Sequence, residues 1–138
     1  MDSGHINLTK QLKINRLSLT KSRIQVFDYL LSHGPLTMHD LLMGLEGTLD
    51  RASVYRNVKL FESIGMLQRL TNGFKYSLEL SDSLIAHHHH LVCISCGSIS
   101  DISANKLEQY IAAISKTNNF RPKSHQVEVR GYCQRCQL

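Results

Sequence analysis

The feature that most constrains this chain is the stretch His87 to Cys96, HHHHLVCISC, followed after 36 intervening residues by a second Cys-x-x-Cys pair, Cys133 and Cys136. Two residues between cysteines let both sulfurs converge on one ion, and two such pairs supply a closed tetrahedral site. The spacing predicts a structural Zn²⁺ bound by Cys93, Cys96, Cys133 and Cys136. Four thiolates leave no open position, so this ion does no chemistry. A redox Cys-x-x-Cys sits at a helix N-terminus in a βαβ setting, and neither pair here has that context.

The four histidines lead straight into Leu91 and Val92. If the run forms a strand, His87 and His89 face one way while His88 and His90 face the other, giving two pairs of ligands on two faces. Alone, the tract reads equally as solvated low complexity. Asp101, Glu108 and His125 follow it, and their joint presence favours a mixed nitrogen–oxygen metal site. Such a site suits Zn²⁺, Fe²⁺ or Mn²⁺.

The 138 residues carry a net charge of +5 and 42% apolar content, which places the chain among ordinary folded proteins and permits an anionic partner. There is no run of about 20 apolar residues and no signal-peptide core near the N-terminus, so we expect a cytoplasmic protein without membrane contact. A reducing compartment also favours metal over disulfide for the four cysteines.

Along the chain, residues 6–15 read as a short helix. Thr20 caps a second helix reaching His33, with Ile24, Phe27 and Leu31 as its apolar stripe, and Thr37 caps a third helix through Leu45. Asp50 caps the clearest helix, where Val54, Val58 and Phe61 form the inner stripe. Its outer side carries Ala52, Arg56, Lys59 and Ser63, with Tyr55 on the shoulder; Arg and Tyr there suit contact with bases and phosphates. Met66 to Leu70 and Phe74 to Leu80 read as strands joined by an Asn72-Gly73 turn. Helices closed by a hairpin make a winged helix-turn-helix with residues 50–64 as its recognition helix.

Ser81-Asp82-Ser83 marks a boundary. The expected organisation is α+β: a winged-helix domain over residues 1–80, a hinge at 81–84, and a small α/β domain over 85–138. In the latter, Leu107, Ile111 and Ile114, with Tyr110 at the edge, line one helix, and Val127 and Val129 mark a strand. This domain is too small to bury much core alone and needs metal, a partner subunit, or both.

Three blocks together resemble the ferric uptake regulator family: Leu19-Thr20-Lys21-Ser22-Arg23, Ala52-Ser53-Val54-Tyr55-Arg56-Asn57-Val58, and HHHHLVCISCG with the tail H-x-V-E-V-x-G-x-C-x-x-C. The likeness covers nearly the whole chain. It implies a non-enzymatic, homodimeric, metal-responsive repressor that binds an A/T-rich inverted repeat in double-stranded DNA through Arg51, Ser53, Tyr55, Arg56, Lys59, Lys21 and Arg23. His87, His89, Glu108 and His125 match the family's dimerisation-domain metal site, and His88, His90 and Asp101 match part of its hinge sensory site. Where relatives place a further carboxylate or cysteine this chain has Ser77, and where they place a histidine it has Pro35, so Glu79 or His33 is left to substitute. The resemblance also admits a peroxide sensor, in which iron-catalysed oxidation of a ligand histidine is the trigger. From a different class, a cytosolic thiol or metal-trafficking protein would use the cysteines and histidines but has no need for residues 50–64.

Overall fold

The structure, a computed structural model, describes residues 3–72 and 74–137 and divides into two compact units, with the chain boundary between Ala86 and His87. In the first, α1 (Ser3–Ile14), α2 (Lys21–His33), α3 (Met38–Gly44) and α4 (Arg51–Ser63) precede a hairpin of β1 (Leu67–Asn72) and β2 (Lys75–Leu80).

Local chemistry fixes the helix ends. The side chains of Thr20, Thr37 and Asp50 accept hydrogen bonds from the backbone N–H groups of Arg23, Asp40 and Ser53, and the Asp40 carboxylate accepts in turn from the Thr37 N–H, a capping box. After α4, Gly65 takes φ 74°, the left-handed conformation that ends a helix and that glycine adopts without a Cβ clash.

The core of this unit is built from Leu8 and Leu12 of α1, Val26, Phe27 and Leu30 of α2, Leu41 and Leu42 of α3, Val54, Val58 and Phe61 of α4, and Leu78 and Leu80 of β2. On α2 the buried face differs from the sequence expectation: Val26 and Leu30 are inside, while Ile24 is half-buried and Leu31 exposed. Both stripes are apolar and include Phe27, so periodicity alone leaves the rotation of α2 open, and packing against α1, α3 and α4 selects one. The hairpin register pairs Asn72 with Lys75, which puts Asn72 in β1 and leaves Phe74 in the connection rather than in β2. The expected Asn72-Gly73 turn includes Gly73, which lies outside the described residues. Leu36 exchanges two backbone hydrogen bonds with Leu78 and so ties the α2–α3 connection to β2. Helices closed by such a hairpin are a winged helix-turn-helix, in an α+β chain.

The second unit contains β3 (His89–Cys93), β4 (Ile99–Ile102), α5 (Asn105–Thr117) and β5 (Glu128–Gly131). Its sheet has the order β4-β3-β5, with β3 antiparallel to β4 and parallel to β5. Joining two parallel strands requires a crossover, and α5 supplies it. Among its described hydrophobic residues only Val92 and Cys93 are buried, and no residue of α5 is. Tyr110 is 69% exposed and Ile114 52%. The apolar stripe of α5 thus exists, but a unit of this size has too little chain to cover it.

Candidate metal centres and nucleic-acid interface

The four cysteines gather where the β3–β4 turn meets the C-terminal tail. One sulfur from each lies within 4.8 Å of all the others, and Cys96 Sγ is 3.7 Å from Cys133 Sγ. A tetrahedral ion with Zn–S of about 2.3 Å spaces its sulfurs about 3.8 Å apart, whereas a disulfide needs about 2.05 Å. The donor set therefore fits a thiolate-bound zinc, and no disulfide forms.

The electrostatics point the same way. Backbone N–H groups of Cys96 and Cys133 donate to Cys93 Sγ at 3.5 and 3.4 Å, and they lower its thiol to about 6. Ser95 pulls Cys136 down by a hydrogen bond, but the neighbouring thiols, Cys133 first, outweigh it and hold Cys136 at about 11. Four sulfurs this close cannot all ionise beside one another without a cation among them.

Two further clusters flank β3. On one side are His87, His89, Glu108 and His125, each with a ligand atom within 4.8 Å of the other three. His89 Nε2 lies 2.5 Å from Glu108 Oε1, His125 Nε2 lies 3.0 Å from Glu108 Oε2, and His87 Nε2 lies 3.0 Å from His125 Nε2. His89 is 1% exposed, and the Val127 N–H on its Nδ1 at 3.3 Å turns Nε2 toward the carboxylate. Hydrogen bonds from His89 and then His125 hold the Glu108 carboxyl below its usual value, so an anion faces three imidazoles. This set can chelate a divalent cation through nitrogen and oxygen.

On the other side, His88 Nε2 and His90 Nε2 stand 3.8 and 3.7 Å from Asp101 Oδ1. The two rings meet edge to face, with centroids 4.9 Å apart. Only His89 and His90 lie inside β3; His87 and His88 precede it, yet the alternation of faces extends back through them.

In the winged unit, Glu79 on β2 is buried and accepts a hydrogen bond from Gln68. His33, at the end of α2, stacks on Tyr29 at 4.2 Å, and its Nδ1 donates to the Tyr29 carbonyl at 3.1 Å. Ser77 is half-buried on β2.

The outer face of α4 presents Arg51, Ala52, Tyr55, Arg56, Lys59 and Ser63 to solvent. Arg56 Nη2 donates to Ser53 Oγ at 3.1 Å, and Ser53 Oγ in turn donates to Asp50 at 2.7 Å, a chain that orients the guanidinium from the first turn of the helix. Lys21 is exposed, whereas the Arg23 guanidinium is engaged with the carbonyl and hydroxyl of Ser18. Reasoning from sequence missed Asn57, which is buried and bonds to the Ser53 carbonyl. Its polarity hid it from a search for apolar stripes.

A winged helix-turn-helix followed by a small α/β unit that gathers thiol and imidazole–carboxylate clusters defines a metal-binding regulator class. Over residues 15–130 the chain matches the profile of the ferric uptake regulator family, and it belongs to that family. It is 31% identical, over 139 aligned positions, to a ferric uptake regulation protein of Neisseria meningitidis, covering 95% of this chain and 94% of that protein. It is 30% identical over 129 positions to the peroxide operon regulator of Bacillus subtilis, covering 91% and 88%. The structure of the Helicobacter pylori ferric uptake regulator Fur superposes with a TM-score of 0.76 at 23% identity, covering 99% of this chain and 93% of that one.

Proposed function

We infer that this chain is a homodimeric, metal-responsive transcriptional repressor that recognises an A/T-rich inverted repeat in the cytoplasm. Membership of the ferric uptake regulator family makes it a metal- or peroxide-responsive transcriptional repressor. The observation that carries the finer reading is the histidine tract, whose four imidazoles divide between two carboxylates, His87 and His89 toward Glu108 and His88 and His90 toward Asp101. One ion at His87, His89, Glu108 and His125 would brace the dimerising domain. Another at His88, His90 and Asp101, completed by Glu79 or His33, would act as the sensor. Together with the four-cysteine zinc this makes three sites, and the Helicobacter pylori relative has three functional metal binding sites.

Metal acts in this reading by favouring the conformation in which two recognition helices of a dimer reach successive major grooves, a population shift set by differential affinity. A two-fold dimer requires an inverted repeat. The exposed apolar stripe of α5 supports dimerisation, and no described helix is long and apolar enough to cross a membrane. Metal analysis of protein purified without chelator, followed by DNA titrations with zinc, iron(II) and manganese(II), tests the reading. Binding to DNA that ignores all three metals would refute it.

Peroxide sensing is the second reading, favoured by the Asp101 carboxylate beside His88 and His90 and by the relative from Bacillus subtilis. Iron(II)-loaded protein treated with hydrogen peroxide would then gain one oxygen atom on a ligand histidine and release DNA. Unmodified histidines after treatment would exclude it.

A further inference from the structure

The hairpin of the winged unit ends in a bare aromatic ring. Phe74 lies in the connection between β1 and β2, and at 111% relative exposure it is the most exposed of the large hydrophobic residues described. Hairpin connections favour Gly, Asn and Asp for backbone reasons, and a phenyl ring left in water gains nothing for the fold. A lone exposed ring is ordinary on a protein surface, but this one sits at the tip of a hairpin braced beside the exposed basic face of α4, where it meets whatever that face meets. Lys75, also exposed, stands beside it.

The base of the hairpin is fixed to α4. Arg69 on β1 is paired with Glu62 on α4, Nη2 to Oε2 at 3.1 Å, and its guanidinium lies 4.4 Å from the centroid of the Tyr76 ring on β2. Between helix and hairpin runs a groove of about 370 Å³ whose lining includes Tyr55, Arg56, Lys59, Glu62, Arg69 and Tyr76. The tip lies three residues beyond Arg69, about 10 Å at the strand rise of about 3.3 Å. With α4 in a major groove, the adjacent minor groove is half a helical turn away, about 17 Å. Added to the roughly 5–6 Å from the axis of α4 to its side, the reach of the hairpin brings the tip about 15–16 Å from the axis, close to the distance needed. The minor groove, about 6 Å wide, excludes the ribbon but admits one flat ring.

We propose that Phe74 is a minor-groove wedge: its ring enters the minor groove beside the half-site read by α4 and lodges against a base step, with Lys75 on the flanking phosphate. This rests on the DNA-binding reading above and extends it to a second reading element. An apolar wedge partly unstacks the step it meets, and pyrimidine–purine steps yield most easily. The hairpin would therefore favour TA or CA steps outside the segment contacted by α4, without hydrogen bonds to any base.

The test uses the metal-loaded full chain and a labelled duplex selected by it from a random pool. Phe74→Ala is expected to weaken binding on the order of tenfold while leaving the salt dependence unchanged, and Phe74→Leu to retain most of the affinity. Lys75→Ala is expected to lower the slope of log affinity against log salt by about one. The protein contains no tryptophan, so Phe74→Trp introduces a single indole. Its fluorescence should become shielded from acrylamide when duplex is added. Should wild-type protein bind no duplex, the regulator reading and the wedge fall together. Should wild type bind while Phe74→Ala matches it and the indole stays accessible, the wedge alone is wrong. An indole shielded by rising protein concentration without DNA would show that a second copy covers the ring, and would equally overturn the proposal.

Discussion

His89 Nε2 lies 2.5 Å from Glu108 Oε1, while its neighbour His90 aims Nε2 the other way, 3.7 Å from Asp101 Oδ1. Adjacent residues thus address carboxylates on α5 and β4 because side chains along an extended segment alternate between faces. In the proposed reading, one extended segment positions ligands for two ions.

The two faces should therefore fail differently. Changing His88 and His90 to Ala is expected to abolish the metal dependence of DNA binding while the dimer and the zinc of the cysteine cluster survive. Changing His87 and His89 to Ala is expected to remove one ion per chain and to lower thermal stability or dimerisation at least as much as DNA binding, since two imidazoles are lost around Glu108. Metal titration and sedimentation on both double variants decide the matter. Identical behaviour would rule out separate roles for the two faces.

The thiol cluster makes a second prediction. Cys96→Ser should cost one tightly held zinc per chain and lower the melting temperature by more than about 10 °C, because a small domain with few buried apolar residues leans on its structural ion. Zinc stoichiometry with differential scanning calorimetry measures both. A variant with full zinc and unchanged melting would remove the structural role from these cysteines.

Much of this was legible in the sequence where the determinants are local. Thr20, Thr37 and Asp50 announce helix starts because a cap needs only the residue and the N–H three positions on. Cys-x-x-Cys spacing announces a convergent sulfur pair for the same reason. What depends on tertiary packing was not legible: which apolar stripe of α2 faces inward, why a polar Asn57 is buried on α4, and that Phe74 falls in the hairpin connection. Glu108 and His125 are 17 residues apart, and only the crossover of α5 brings them to the histidine tract. From sequence their presence beside the tract favoured a mixed site, and only the family resemblance divided the ligands between its two faces.

On α4, Arg56→Ala is expected to weaken operator binding about 10- to 100-fold and Tyr55→Phe a few-fold, with metal content and dimerisation unchanged. Both side chains are exposed, and the inner stripe of Val54, Val58 and Phe61 does not involve them. Fluorescence anisotropy with a selected duplex gives the affinities. Wild-type affinity in both variants would move recognition away from this helix.

The start of α4 adds a pH-dependent prediction. Hydrogen bonds from the Ser53 hydroxyl and backbone N–H hold the Asp50 carboxyl below its usual value, so folding favours the ionised form. A carboxyl whose folded-state pKa is depressed contributes stability above its unfolded value of about 3.9, and that contribution is lost as pH falls through the folded value. The difference in melting temperature between wild type and Asp50→Ala should accordingly be constant near neutral pH and shrink below about pH 4. Comparing the two proteins at each pH separates this from the loss of zinc that acid causes in both. Because Ser53 also holds Arg56, Asp50→Ala should weaken DNA binding at neutral pH, and Asp50→Asn, which caps without a charge, should restore most of it. A wild-type minus Asp50→Ala difference that ignores acid, or an Asn variant no better than Ala in DNA binding, would show that the first turn of α4 is held by something other than this cap.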